Sequence, residues 1–454
     1  MNADTDTTCQ GQEHSLSEKD VLGTLPDFLQ TIAIFDDADF TEFTNLKGGQ
    51  TWARRATEFG YAVLKLDGRK FFWKTMESEK IFYSELNGYR LLNSFFSTDQ
   101  LQKPLGIDLR RLRIFYAYLE GLNLWQLRHL YTAAAIRNAE DEQHERQNTL
   151  DIIRNVELRR HDEIFKAYLQ SSLFTLRNSI GYQDEEVSGL YIRISVPLSN
   201  PEAYFSGCSL RLPLTDCTVD NYLSYSFIIN GYDFGSLNDC LSASRETLLA
   251  SELPKTILAA GLGDATSSNI MIDAAEIGTP FHFVDFEMAG FQNPFVDLGW
   301  SIPYDCFFMA NFLDSIEKSE KEEQTTESDC ELQFALEFSH ESRQIHVTHN
   351  YWSRLRAPMW DVTEVNVFAL KYFNVIQPLV SHLENLHGKD ATNWKQLFSC
   401  STFVSTISKL QFATSLRHFY LLTCIGMELF KFPRWLDTVF RPAMERLGKQ
   451  KLVW

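Results

Sequence analysis

Between residues 57 and 76 apolar and polar positions alternate in two runs, TEFGYAVLKL and RKFFWKTM, divided at Asp67-Gly68. Alternation is the strand period, and Asp-Gly supplies the positive φ of a tight turn, so the pattern predicts a hairpin pairing about 57–66 with 70–76. In ESEKIFYSELNGYRLLNSFF, Ile81, Glu85, Tyr89 and Leu92 recur at helical spacing and predict a helix. RLRIFYAYLEGLNLWQLRHL reads as a strand, a turn at Gly121 and a second helix. Residues 135–170 read as a charged helix whose mixed signs predict a solvated face. LYIRISVPL and YLSYSFIING give residues 180–232 strand-like alternation, and a helix-like stretch follows at about 238–253. Two short strands are expected to flank GLGDATSSNIMI, and FHFVDFEMAG forms a third such region. Beyond residue 300 the pattern is helical and aromatic, interrupted at about 315–331 by the acidic run SIEKSEKEEQTTESDCE, expected to be a mobile loop.

Composition narrows the field. At 44% hydrophobic and 22% charged residues, the chain can bury a sizeable core. The net charge of −18 disfavours nucleic-acid and anionic membrane surfaces, so no nucleic-acid partner is expected. No apolar run is long enough to cross a bilayer, so no membrane span is expected. The polar, acidic residues 1–25 read as a flexible tail without the basic and apolar regions of a signal peptide, and a cytoplasmic location is expected. The eight cysteines form no C-x-x-C pair, which speaks against a zinc ribbon, while a disulfide within 208–240 is left open.

Two segments carry candidate chemistry. Gly263-Asp264-Ala265-Thr266-Ser267-Ser268-Asn269 spaces a carboxylate and an amide as D-x-x-x-x-N on one loop before an apolar strand. Asp264 can orient or accept the proton of a hydroxyl, and the Asn269 side-chain oxygen suits a hard cation such as Mg²⁺. In FHFVDFEMAG, Asp285 follows an apolar strand, where a carboxylate can bridge Mg²⁺ to phosphates. Taken singly, a loop Asp and Asn are ordinary turn formers. Their order along the chain is what gives them weight.

GLGDATSSNIMI…FHFVDFEMAGFQNPFVDLGW resembles the core of aminoglycoside phosphotransferases and choline/ethanolamine kinases. The resemblance spans about residues 45–300 and implies an α+β, two-lobed, protein-kinase-like fold. A small antiparallel-sheet N-lobe (26–121) would precede a mainly helical C-lobe (122–454). It implies Asp264 as the catalytic aspartate, Asn269 and Asp285 as metal ligands, and Glu287, the Glu of the D-F-E step, as a further candidate metal ligand. Lys74, expected on the third strand of the small sheet, would grip nucleotide phosphate with Glu85 as its helix partner. The Ala117 carbonyl and Leu119 amide would face the nucleotide base, and Asp297 would brace the catalytic loop. ATP and Mg²⁺ are the implied cofactors, and a hydroxyl on a small molecule or glycan the implied acceptor. Trp300, Tyr304, Trp352 and Trp360 are candidate pocket aromatics, although aromatics there are more often core.

The sequence departs from the family in four places. Leu262 stands where the family has a loop His, and Ala117 where its hinge has an acidic residue. No G-x-G-x-x-G occurs, and Gly48-Gly49 is the best candidate for a phosphate-covering turn. The long stretch between hinge and catalytic loop implies an insertion at about 135–235. These departures keep open a pseudokinase acting as a binding or scaffold protein. D-F-E in place of D-F-G and the lack of A-P-E speak against a protein kinase, and the lack of H-E-x-x-H against a metal hydrolase.

Overall fold

The computed structural model describes residues 28–45, 56–137, 143–172, 176–177, 189–209, 217–249, 256–272, 280–307, 333–351, 366–388, 393–413 and 415–431. The tail at 1–25, Gly48-Gly49, the acidic run at 315–331, Trp352 and Trp360 lie outside them.

Six strands form the first sheet: β1 (Ala33–Ile34), β2 (Phe40–Asn45), β3 (Ala56–Leu64), β4 (Lys70–Met76), β5 (Pro104–Asp108) and β6 (Arg113–Ala117). Their order is β1-β5-β6-β4-β3-β2, antiparallel except for the β1–β5 pair. The β3–β4 hairpin turns at Gly68, whose φ of 71° is the left-handed conformation its sequence implied. Lys74 therefore lies on the fourth strand in chain order, not the third, because the two-residue β1 precedes the hairpin.

Alternation gives this sheet two differently used faces. Phe71 and Trp73 of β4 and Phe115 of β6 join Phe40, Ala62 and Leu64 in an aromatic cluster on one side. Met76 of β4 and Ile114 and Tyr116 of β6 belong to the main core on the other. Helix α1 (Glu79–Leu92) covers that side, its Ser78 N-cap accepting from the Ile81 N–H. Its buried Phe82, Leu86 and Tyr89 lie on one face at helical spacing, and Glu85 shares that face.

The remainder is mainly helical. It begins with β7 (Leu122–Asn123), α2 (Leu124–Arg137), α3 (Gln143–Ser172), β8 (Leu176–Arg177), α4 (Gly189–Ser199), α5 (Pro201–Ser209) and α6 (Val219–Ser224). The chain continues through β9 (Ser226–Ile229), β10 (Tyr232–Ser236), α7 (Leu237–Leu248) and β11 (Thr256–Ile257), which pairs with β8. Short ladders follow: β12 (Ala259–Gly261), β13 (Ile270–Ile272), β14 (Phe281–Phe283) and β15 (Gly290–Gln292). Next come α8 (Pro294–Ile302), β16 (Phe334–Ser339), β17 (Gln344–His349), α9 (Asn366–Lys371), α10 (Gln377–His387), α11 (Trp394–Ile407) and α12 (Leu416–Phe430). The architecture is α+β, a small antiparallel-rich sheet with one covering helix set beside a helical body, the layout of a kinase-like fold. No helix among the described residues is long and apolar enough to cross a membrane. Cys208, Cys217 and Cys240 are free, buried thiols, so no disulfide closes that stretch.

Three local readings need correction. LYIRISVPL is helix α4, not a strand, because Leu190, Tyr191, Ile194 and Leu198 are its buried residues and recur with the helical period. The β-branched Ile192, Ile194 and Val196 mimic strand alternation. Helix α3 is not a solvated face throughout, since Glu157, Arg160 and His161 are at most 1% exposed. Beyond residue 300 the chain is not purely helical. The hairpin β16–β17 completes a sheet of order β10-β9-β17-β16, with β17 parallel to β9.

Candidate active site

The site is built where the sheet meets two adjacent loops of the helical body. Period two places Lys74 on the face of β4 that looks toward α1, between Phe72 and Met76. Its ammonium lies 2.7 Å from Glu85 Oε1 and 2.7 Å from Asp285 Oδ1, joining strand, helix and the 284–289 loop. Glu85 is fully buried and held on both oxygens. The Tyr116 hydroxyl donates to Oε1 at 2.5 Å, and the Phe286 N–H donates to Oε2 at 3.0 Å. Burial alone would pull the Lys74 ammonium down, but Asp285 and Glu85 outweigh it and raise it above the usual lysine range. Lys74 is thus a fixed cation.

Gly88 makes this possible. A Cβ there would lie 2.1 Å from the Phe286 carbonyl oxygen, so α1 reaches the loop backbone to backbone. Asp285 itself has a φ of 68°, a conformation that costs a non-glycine residue about 1–2 kcal/mol and that clusters at functional sites. Its side chain is 39% exposed, whereas Glu85 beside it is sealed.

The neighbouring loop carries Asp264 and Asn269 between β12 and β13. The two loops lie side by side, the Val284 N–H donating to the Asn269 carbonyl at 3.0 Å. The Asn269 Nδ2 donates to the Asp264 carbonyl at 2.9 Å, and its Oδ1 has no partner among the described residues. Gly263 has a φ of 74°, and a Cβ there would meet the Met288 carbonyl at 2.1 Å, so only glycine lets the loops touch at this point.

Two buried carboxylates brace this loop from beneath. Asp297, from α8, accepts from the Gly263 N–H at 3.0 Å and from the Tyr168 hydroxyl of α3 at 2.7 Å. Burial pushes its carboxyl up to about 6, with those hydrogen bonds limiting the rise. Asp305, on the π-helical turn Pro303–Phe307, accepts from the Ser267 N–H at 2.8 Å, from Arg160 at 3.1 Å and from Lys371 at 2.9 Å. Burial works to raise this carboxyl too, but Arg160, Lys371 and Arg128 hold it well below the usual carboxylate range. Leu262 is 4% exposed and part of the core, and these carboxylates brace the loop.

Asp264 faces two cations that local sequence patterns did not single out. Arg193 of α4 sets one nitrogen 3.3 Å from Asp264 Oδ2 and another 2.9 Å from Glu287 Oε1. Burial raises the Asp264 carboxyl, while Arg193 and Lys409 pull it down and Asp285 and Asp305 push it up, leaving it above the usual range. The Lys409 ammonium lies 4.1 Å from the Tyr304 ring centroid and 5.6 Å from that of Trp300. Burial pulls it down to about 7, with Asp264 opposing and Arg193 adding to the drop. Lys409 is therefore cationic below pH 7 and loses its charge above it. After reductive ¹³C-methylation, one dimethyl-lysine resonance should titrate near pH 7, absent from Lys409→Met, while ordinary lysines titrate near 10. Titration of every resonance above pH 9 would contradict this environment. The one available sequence signal was a lone charge inside an apolar run, in LYIRISVPL and in STFVSTISKLQF.

The other expected positions fall as follows. The Ala117 carbonyl already accepts from the Gln102 side chain at 2.9 Å. Leu119 follows β6, half-buried, with its N–H unbonded among the described residues. Glu287 is 5% exposed and paired with Arg193. Trp300 is core, at 1% exposed. No cluster of three or more His, Cys, Asp or Glu suited to a metal occurs among the described residues. A smaller oxygen set, the exposed Asp285 carboxylate and the unpartnered Asn269 Oδ1, fits Mg²⁺, which takes few protein ligands beside phosphates and water.

No family model matches this sequence, and no curated protein matches it closely enough to count as a relative. Among solved structures, an ethanolamine kinase from Plasmodium vivax superposes with a TM-score of 0.40 at 11% identity, covering 88% of this chain and 83% of that one. So distant a likeness carries no functional argument, and the site's own geometry must.

Proposed function

We propose that this chain is a phosphotransferase that moves the terminal phosphate of ATP to a hydroxyl of a small molecule or glycan. The observation that carries the reading is Lys74, a buried cation clamped between Glu85 and Asp285, each at 2.7 Å, from three separate segments. A lysine held between a sealed carboxylate and a solvent-facing one is positioned to receive a further anion.

Each residue then has a role. Lys74 binds nucleotide phosphate, and Glu85 keeps it oriented through its own three contacts. The unbonded Leu119 N–H is available to the base, and the Ala117 carbonyl keeps a second lone pair beside its bond to Gln102. Asn269 and Asp285 would hold Mg²⁺, which when bound neutralises charge on the phosphates. Asp264 orients the acceptor hydroxyl and takes its proton, and burial gives its carboxyl the raised affinity that helps such a base. Asp297 and Asp305 fix the loop that presents it. This bracing supports an active loop against the part of the pseudokinase reading that came from Leu262, and the glycine-turn departure lies outside the described residues.

A thermal-shift titration with ATP and with GTP, each with and without Mg²⁺, tests the reading. A ligand that binds only the folded state raises the midpoint by mass action, by about 2.7 kcal/mol of stabilisation at 100 times Kd. A Mg²⁺-dependent rise is expected, and Asp285→Ala should remove its Mg²⁺ dependence. Absence of any shift with either nucleotide would overturn the phosphotransferase reading.

A further inference from the structure

The acceptor must sit beside Asp264, so the groups around that carboxylate define its chemistry. A cationic acceptor would need unpaired carboxylates and open aromatic faces. Here the nearby carboxylates are spoken for: Arg193 joins Asp264 at 3.3 Å and Glu287 at 2.9 Å, and Lys74 holds Asp285 at 2.7 Å. The aromatic faces are taken as well, since the Lys409 ammonium lies against Tyr304 and Trp300. The protein's own cationic groups already occupy the place an amine would use, and below about pH 7 an incoming amine would meet two like charges.

These cations are differently committed. Arg193 spends two contacts on carboxylates and keeps further N–H donors in its planar fork. The Lys409 ammonium has ring faces but no oxygen partner among the described residues, although lysine carries three donors. A partly buried ammonium whose nearest carboxylate, Asp264, is already shared with Arg193 has donors left for a further anion. Burial and Arg193 lower the affinity of Lys409 for its proton more than Asp264 raises it, so an added anion would strengthen it.

We propose that the acceptor is an anionic hydroxyl compound, one whose phosphate or carboxylate is held by Lys409 and Arg193 while its hydroxyl rests at Asp264. This rests on the phosphotransferase reading. In the transfer, the acceptor oxygen forms a bond to the terminal phosphorus, the bond from that phosphorus to the bridging oxygen breaks, ADP leaves, and the hydroxyl proton passes to Asp264. The anionic group takes no part in bond making and confers selectivity through charge.

Two arms test this. In the first, ADP release is measured with Mg-ATP and matched acceptors: glycerol 3-phosphate against glycerol, glycerate against glycerol, and choline as the cationic control. The anionic member should exceed its neutral counterpart by about tenfold or more in kcat/KM, the worth of one charge-assisted hydrogen bond. Lys409→Met should erase that preference through KM, and Lys409→Arg should restore much of it. Preference for choline or for glycerol would overturn the proposal. In the second arm, inorganic phosphate is titrated by thermal shift into Lys74→Met, where the nucleotide phosphate grip is removed. Stabilisation should persist there and vanish in the Lys74→Met/Lys409→Met double variant, and its survival in the double variant would overturn the proposal. If Mg-ATP fails to bind the wild type while phosphate still discriminates Lys409→Met, the phosphotransferase reading falls and the anion site stands.

Discussion

Asp264→Asn should bind Mg-ATP within about twofold of wild type and lose about 10³-fold in kcat, the range spanned by a positioned general base. The substitution keeps the shape of the side chain and its capacity to accept from Arg193, now 3.3 Å away. It removes the only proton-accepting function. The loop should stay in place, because what fixes it is bonding at Gly263, Ser267 and Asn269 rather than the Asp264 carboxylate. Single-turnover ADP release with saturating acceptor separates this chemical step from binding. A loss of tenfold or less would mean that Asp264 positions the hydroxyl without taking its proton, as a loose phosphoryl-transfer transition state permits. Wild-type turnover would remove Asp264 from the mechanism altogether.

The parts of this molecule legible in the sequence are those whose cause is local. The hairpin at Asp67-Gly68 follows from one turn dipeptide and two alternating runs, and the helix from 79 to 92 from apolar residues on one face. Lys74 and Glu85 could be placed together because one strand and the next helix carry them. Asp285 could be set against them only through a resemblance, since 211 positions separate it from Lys74. The rest was illegible for physical reasons. Arg160 lies in a run of mixed charges that looks solvated, and its burial depends on Asp305, 145 positions away. The β17–β9 pairing joins segments more than a hundred residues apart, and nothing in QIHVTH names its partner. Arg193 and Lys409 were readable at most as single charges in apolar runs. Their meeting at Asp264 is a property of how α4 and the end of α11 converge.

The second large effect is on stability. Asp305→Ala should cost about 3–5 kcal/mol at neutral pH, because it leaves buried charges without their counter-ion. Asp305 is fully buried, as is Arg160, and Lys371 is 1% exposed. Glu157, 2.6 Å from Arg160, still satisfies that side chain in part, but no other carboxylate is paired with the Lys371 ammonium among the described residues. The Ser267 N–H loses its acceptor as well, so the loop bearing Asp264 should loosen and turnover should fall with stability. The pH dependence has a definite sign. The folded carboxyl of Asp305 sits below its unfolded value, so its contribution is complete above about pH 4 and is lost as pH falls through the folded value. Urea unfolding from pH 7 down to pH 3 should show the wild-type advantage over Asp305→Ala shrinking only below about pH 4. Lys371→Met in the Asp305→Ala background should recover part of the loss, since it removes the stranded charge. An equal advantage at every pH would show that the carboxyl acts by packing and hydrogen bonding alone, and a loss under 1 kcal/mol would show that water or a neighbouring group replaces it.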